Sequence, residues 1–396
     1  MKHFFLRLWA LVMGLAVMLP IWADEPLRIA HGPYLQNVSE SEASVVWVTN
    51  KPSTAWLELA PDDGTHFYDT KRERLYDVTN GLVRRDSIHV VHIRGLKPGT
   101  RYRYRVYARE VVSYDSFRLV YGSYAATNVY SEQPLTFVTN DARKSRVSFA
   151  VVNDIHERSE EIPTLFGRLP KKPDMVFFNG DMVSFFRNQR SIFADFMDAA
   201  VSTFAKETPL YYARGNHETR GLYPEHFQRY FSPGDRRLYS CFRNGPVCFV
   251  VLDSGEDKPD SDIEYNSLAD YDRYRTEQAE WLRQVVESPL YKEASFRVVV
   301  CHIPPIADEE RMWHGQREVL HKFVPLLNAS GADLMLCGHL HKYLYNPAGT
   351  NEEVGFPVVV NSNTDVLMGE ADERELLITI RNREGKTVVQ HRFVRK

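Results

Sequence analysis

Between residues 146 and 341, five apolar runs break off at an aspartate, asparagine or histidine, and this repetition constrains the fold more than any other feature of the chain. "RVSFAVVN" is followed by Asp154 and His156, "DMVFFNG" by Asp181, "PLYYARG" by Asn216 and His217, "FRVVVC" by His302, and "ADLMLCG" by His339 and His341. Between the runs lie "RSIFADFMDAAVSTFAK", "TEQAEWLRQVVES" and "REVLHKFVPLLNAS", with apolar residues at helical spacing. Strands alternating with helices predict an α/β unit, or α+β given the strand-only ending from Phe356 to Arg395. In open α/β sheets ligands bind outside the carboxyl ends of strands, so five such ends meeting at one edge would pool their polar residues into one site.

Any one of these residues taken alone reads as a turn former, a helix cap or a loop histidine. Their recurrence in order favours chemistry. Asp154, His156, Asp181, Asn216, His302, His339 and His341 offer nitrogen and oxygen donors without a thiolate, a set suited to zinc, manganese or iron. They are too many for one tetrahedral zinc, and divide between two ions if one carboxylate bridges. The residual positive charge would attract a phosphate. A two-metal site, with ions ~3.5–4 Å apart, acidifies a bound water and clamps both oxygens of an in-line displacement, which predicts phosphoester hydrolysis by a metal-bound hydroxide. "DIH" and "HLH" share an i, i+2 spacing, which points both side chains one way if the chain stays extended.

The preceding half has another texture. From residue 24 to 140 short alternating segments, "ASVVWVTN", "TAWLELA", "IHVVHIRGL", "TRYRYRVYA" and "PLTFVTN", carry no helix-period run and predict an all-β sandwich. "VVSYDSFRLVYGSYAATNVYSE" reads as a long hairpin or loop inserted before its last strand. Residues 145–396 form the second domain. Ahead of both, 1–23 combine Lys2 and Arg7, an apolar run from Leu8, and Ala23, the layout of a cleaved secretory signal. Export to a periplasmic or extracellular space, with no membrane span in the mature chain, is the expectation. A formal charge of −3 gives no basic surface for nucleic acid. Four cysteines are too few for a disulfide framework, although Cys241 and Cys248 flank an Asn-Gly hairpin signal and are expected to pair.

"LKPGTRYRYRVYA" together with Trp47 resembles a fibronectin type III module. The ordered set "DIH", "NGD", "GNHE", "VVVCH" and "GHLH" resembles the calcineurin-like metallophosphoesterase superfamily, and with the N-terminal sandwich it resembles purple acid phosphatases. The resemblance implies a four-layer αββα catalytic domain. It also implies one metal held by Asp154, His156, Asp181 and His341, and another by Asp181, Asn216, His302 and His339. Asp181 would bridge, Asn216 and His217 would touch the phosphate, and His217 would protonate the leaving group. Tyr343 matches a tyrosine common after the G-H-x-H of these enzymes and is expected at the substrate. Purple acid phosphatases carry a tyrosine three residues after the bridging aspartate and lack the D-x-H histidine, whereas this chain has Ser184 and His156. These departures speak against a purple ferric centre. Ser184 and Phe185, standing where protein phosphatases have aspartate and arginine, speak against that class. A small phosphate monoester is the expected substrate. The alternative is a phosphodiesterase or nucleotidase with the same ligands, Trp313 or His314 forming part of a lid; a non-catalytic binding or adhesion protein is the remaining reading.

Overall fold

The computed structural model describes residues 25–127, 132–231, 237–306, 311–350 and 353–395; the expected signal segment lies outside them. Among the described residues no helix precedes Glu161. The N-terminal strands are β1 (Ile29–Gln36), β2 (Glu42–Pro61), the short β3 (Arg74–Tyr76), β4 (Val78–Thr79) and β5 (Leu82–Val83), then β6 (Asp86–Arg94), β7 (Arg101–Asp115), β8 (Arg118–Ala126) and β9 (Leu135–Val138). Two segments that read as separate strands are one: β2 runs through Lys51 and Pro52, and its register against β6 slips between Val48 and Ser53. A proline without an N–H is tolerated at such an irregularity. The first part of β2 pairs with β1 and β6 and the second with β3 and β7, so this one strand links two groups of strands. Trp47, Leu57, Tyr104, Val106 and Phe137 fill the space between them. The predicted insertion is the β7–β8 hairpin, closed at Asp115 and Arg118.

The second half contains β10 (Arg146–Val152), β11 (Met175–Asn179), β12 (Leu210–Ala213), β13 (Ser240–Asn244), β14 (Val247–Val251), β15 (Phe296–Val300), β16 (Leu334–Cys337), β17 (Leu344–Asn346), β18 (Val358–Val360), β19 (Val366–Asp372), β20 (Glu375–Arg381) and β21 (Thr387–Val394). Strands β10, β11 and β12 lie parallel in one sheet, and β14, β15, β16 and β18 in another. Successive strand residues face opposite ways. Phe149, Phe177, Phe249, Val298 and Leu336 therefore meet in a shared core between the sheets. Ala150, Val176 and Phe178 turn outward onto helical residues such as Leu165, Phe196 and Phe204. On the far side Val250, Val299 and Met335 pack on the helices Tyr271–Glu287, His314–Lys322 and Val324–Ser330. The layers run helix, sheet, sheet, helix.

The sandwich is not a loose appendage. Strand β1 continues the first sheet beside β12, and Tyr34, Val46, Val48, Ile88 and Val90 are buried in the core of the second half. Exposing such side chains costs about 1.5–3 kcal/mol each, so the two halves stabilise one another. Cys241 pairs with Val250 and Cys248 with Arg243 across the β13–β14 hairpin, so the two cysteines are diagonal neighbours, and their sulfurs stand 3.4 Å apart as free thiols rather than in the expected disulfide. Cys301 and Cys337 are buried thiols. Among the described residues no helix is long and apolar enough to cross a membrane.

Candidate metal centre

The five carboxyl ends come together across both sheets, not along the edge of one. Main-chain bonds tie the loops beyond them: Asp154 N to Gly180 O (2.9 Å), His156 N to Asp181 O (3.1 Å) and Gly338 N to His302 O (2.9 Å). The i, i+2 pairs work by another route than the extended one expected. Strand β10 stops at Val152 and β16 at Cys337, and Asp154, His156, Asp181, His339 and His341 all take left-handed backbone with φ of 54°, 44°, 55°, 71° and 56°. This costs on the order of 1–2 kcal/mol per residue, strain of the kind that collects at functional sites. Tight turns, not the pleat, aim these donors inward.

Two donor sets result. Ligand atoms of Asp154, His156, Asp181 and His341 lie within 4.8 Å of one another, as do those of Asp181, His302 and His339. Asp181 belongs to both. His156 Nε2 and His341 Nε2 are 3.1 Å apart, His341 Nε2 and Asp154 Oδ1 3.2 Å, and His302 Nε2 and Asp181 Oδ2 3.0 Å. Asn216 Oδ1 is 3.1 Å from His339 Nδ1. His302 Nε2 and Asp154 Oδ1 are buried with only ion-pair neighbours, Asp181 Oδ2 and His341 Nε2, and no well-aligned hydrogen bond, a costly arrangement unless something else satisfies them. Nitrogen and oxygen donors converging in this way fit a pair of metal ions.

Other residues hold the ligands. His302 Nδ1 donates to Asn179 O at 2.7 Å, which leaves Nε2 for the site. The Asn153 amide donates to Asp154 Oδ2 (2.6 Å) and Asn361 O (3.1 Å), and Asn361 Nδ2 donates back to Asn153 Oδ1 (2.9 Å). Glu218, next to His217 in sequence, holds main chain rather than the histidine ring. Wholly buried, it accepts from the main-chain N–H of Asp181, Met182 and Gly215 and from the Tyr212 hydroxyl. A Cβ on Gly180 would overlap the His302 ring, and one on Gly215 the Asp181 carboxylate, which accounts for the glycines of "NGD" and "GNHE".

Burial and neighbouring charges shift these groups in opposite directions. Burial would raise the Asp181 carboxyl, but His302 and His217 outweigh it and hold the group below the usual carboxylate range. Burial would conversely lower His302, yet Asp181 and Asp154 carry it from 6.5 to about 10. Burial and the neighbouring His302 push His339 down to about 4, and burial lowers His156. The hydrogen bond to Asp154 raises His341.

His217 stands over this centre. Its main-chain N–H donates to Asp181 Oδ1 at 2.9 Å, its Nδ1 donates to Ser184 O at 2.9 Å, and its Nε2 lies 3.8 Å from Asp181 Oδ2. Ser184 Oγ donates to Glu157 Oε2 (2.7 Å) and is 3.3 Å from His156 Nδ1. The Tyr343 hydroxyl is 2.6 Å from His391 Nε2, and its partly buried ring packs against the inter-sheet core. His314 Nε2 is 2.7 Å from Asp272 Oδ1, and Trp313 is half exposed.

One strand end escaped the sequence reading. Strand β14 runs into "LDSGED", where buried Asp253 pairs with Arg214 (2.9 Å) and buried Glu256 with Arg220 (2.6 Å). A sixth apolar run ending in carboxylates was visible, but their partners lie over thirty residues away in sequence.

This arrangement fits one class, the binuclear metallophosphoesterases. The family model of the calcineurin-like phosphoesterases matches residues 147–343, and that of the purple acid phosphatase N-terminal domain matches residues 32–119. The chain thus combines a calcineurin-like phosphoesterase domain with a purple acid phosphatase N-terminal domain, which marks it as a metal-dependent phosphoric ester hydrolase. It is similar to purple acid phosphatase 18 of Arabidopsis thaliana (22% identity, 81% of this chain, 67% of the relative) and to purple acid phosphatase 23 of the same plant (24%, 74% and 61%). The fold resembles the solved structure of purple acid phosphatase PPD1 from yellow lupin, Lupinus luteus, with TM-score 0.65 and 16% identity over 92% of this chain and 74% of that one. It also resembles PhoD, with TM-score 0.60 and 12% identity over 91% and 89% of the respective chains.

Proposed function

We propose that this chain is an exported phosphatase that hydrolyses small phosphate monoesters, with 24–140 as its sandwich module and 145–396 as its catalytic unit. The observation that carries the reading is the pair of donor sets sharing Asp181 beneath His217. Asp154, His156 and His341 would hold one ion, Asn216, His302 and His339 the other, and Asp181 both. Zinc, manganese and iron suit the donors. When bound, the ions supply positive charge to the phosphoryl oxygens and acidify a water.

The remaining steps fall to side chains. Ser184 O accepts the Nδ1 proton of His217 and thereby turns Nε2 toward the centre. A proton at Nε2 passes to the departing alcohol, a contribution of typically ~10²–10⁴-fold. Asn216 and His217 border the space a phosphoryl group would take. Ser184, with its hydroxyl committed to Glu157, offers no phenolate, in keeping with a colourless enzyme. Purified protein loaded with Zn or Mn should hydrolyse an aryl phosphate faster than a bis-aryl phosphate. The reverse order would establish the phosphodiesterase alternative, and failure on every ester would overturn the reading.

A further inference from the structure

Carboxylates hold Arg220 through Nε and Nη2, and leave Nη1 with a long contact to His217 alone. Its Nε donates to Glu256 Oε2 at 3.0 Å, and its Nη2 donates to Glu256 Oε1 at 2.6 Å and to Asp257 Oδ1 at 2.8 Å. Both acids are buried, and the arginine side chain is only 10% exposed. Thr219 Oγ1 donates to Glu256 Oε2 at 3.0 Å, and the Tyr265 hydroxyl reaches the same carboxylate. Nη1, the nitrogen these acids leave over, is 3.4 Å from Nε2 of His217. A fork fixed so rigidly keeps its remaining N–H directions without further ordering, which favours recognition of an anionic oxygen.

We infer that Arg220 Nη1 is a substrate-binding group that donates to a phosphoryl oxygen beside His217, and that it sets the preference for monoesters over diesters. A monoester carries one more unesterified oxygen than a diester. In the diester that oxygen bears a second alkyl or aryl group, which cannot take the guanidinium's hydrogen bond as an anion does. Arg220 therefore discriminates by a contact that only the monoester completes. The inference rests on the phosphoesterase reading above and adds the residue that selects within it.

The test uses metal-loaded protein, with inorganic phosphate as the probe. Arg220→Lys keeps the charge beside Glu256 and Asp257 but cannot reach as Nη1 does. The triple variant R220M/E256Q/D257N removes the arginine together with its two buried partners, and so remains informative if the lysine variant folds poorly. Metal content should match wild type in both. The Kd for phosphate and the KM for an aryl phosphate should rise about 10- to 100-fold, as for one lost charge-assisted hydrogen bond. The monoester-to-diester ratio of kcat/KM should fall by a similar factor. A purely bracing role would leave phosphate affinity in place, so a Kd and a ratio within about twofold of wild type overturn the inference. That result alongside active wild-type enzyme defeats this inference alone. Wild-type protein that neither binds phosphate nor cleaves any ester defeats the phosphoesterase reading as well.

Discussion

Glu218 offers a quantitative test of how the bridging aspartate is held. The carboxylate accepts from Asp181 N at 2.9 Å, Met182 N at 2.7 Å, Gly215 N at 2.9 Å and Tyr212 Oη at 2.8 Å. Burial and the nearby Asp181 raise its pKa, while the four donors favour the ionised form. Glu218→Ala strands the three main-chain donors, at about 1–3 kcal/mol each. The total, about 3–9 kcal/mol, is a large share of the roughly 5–15 kcal/mol that keeps a protein folded. Glu218→Gln is milder. Its amide nitrogen can face Tyr212, whose hydroxyl rotates to accept, so that the Met182 N–H is the main casualty, at about 1–3 kcal/mol. Urea unfolding of the metal-free variants measures these losses, and metal content reports whether Asp181 has moved. An alanine variant within about 1 kcal/mol of wild type, with its metal complement intact, would refute the idea that this carboxylate builds the Asp181 loop.

Further predictions concern individual residues. Gly215→Ala puts a methyl group on the Asp181 carboxylate and should lose metal without unfolding the sandwich, as metal analysis with far-UV circular dichroism would show. His217→Asn should lower kcat by about 10²–10⁴-fold on alkyl phosphates and much less on aryl phosphates, whose leaving groups need no proton. Metal-free protein holds a proton on His302 up to about pH 10, so metal uptake at neutral pH should release protons and weaken on acidification, measurable by calorimetry in buffers of different ionisation enthalpy. Because the folded-state pKa of His302 is raised, its stabilisation of the metal-free protein is complete below about 6.5 and lost as pH climbs through about 10, which thermal melts across that window would follow.

Much of this site was legible because its donors follow the simplest rule of open sheets: a buried apolar run ends and a polar side chain emerges. Asp154, Asp181, Asn216, His302 and His339 each stand within three residues of a strand end. Harder to read was the geometry that converts those positions into a site. The pairs "DIH" and "HLH" work through left-handed turns that an extended-chain argument does not contain. Glu218, Asn153 and Arg220 act on partners up to some two hundred residues distant, and a single sequence carries no sign of such pairings. The same holds for the fold. Alternation in "ASVVWVTN" showed a half-buried strand, but Val46 and Val48 face the catalytic half's core, so both faces of that strand are covered.

The most direct test of the account is metal stoichiometry alongside hydrolysis, on wild type and on Asp181→Asn. Shared ligation by Asp181 predicts two ions per wild-type chain, and one or none in the variant, with aryl phosphate hydrolysis lost. A wild-type chain that takes up no transition metal, or an Asp181→Asn variant that keeps two ions and full activity, would contradict it.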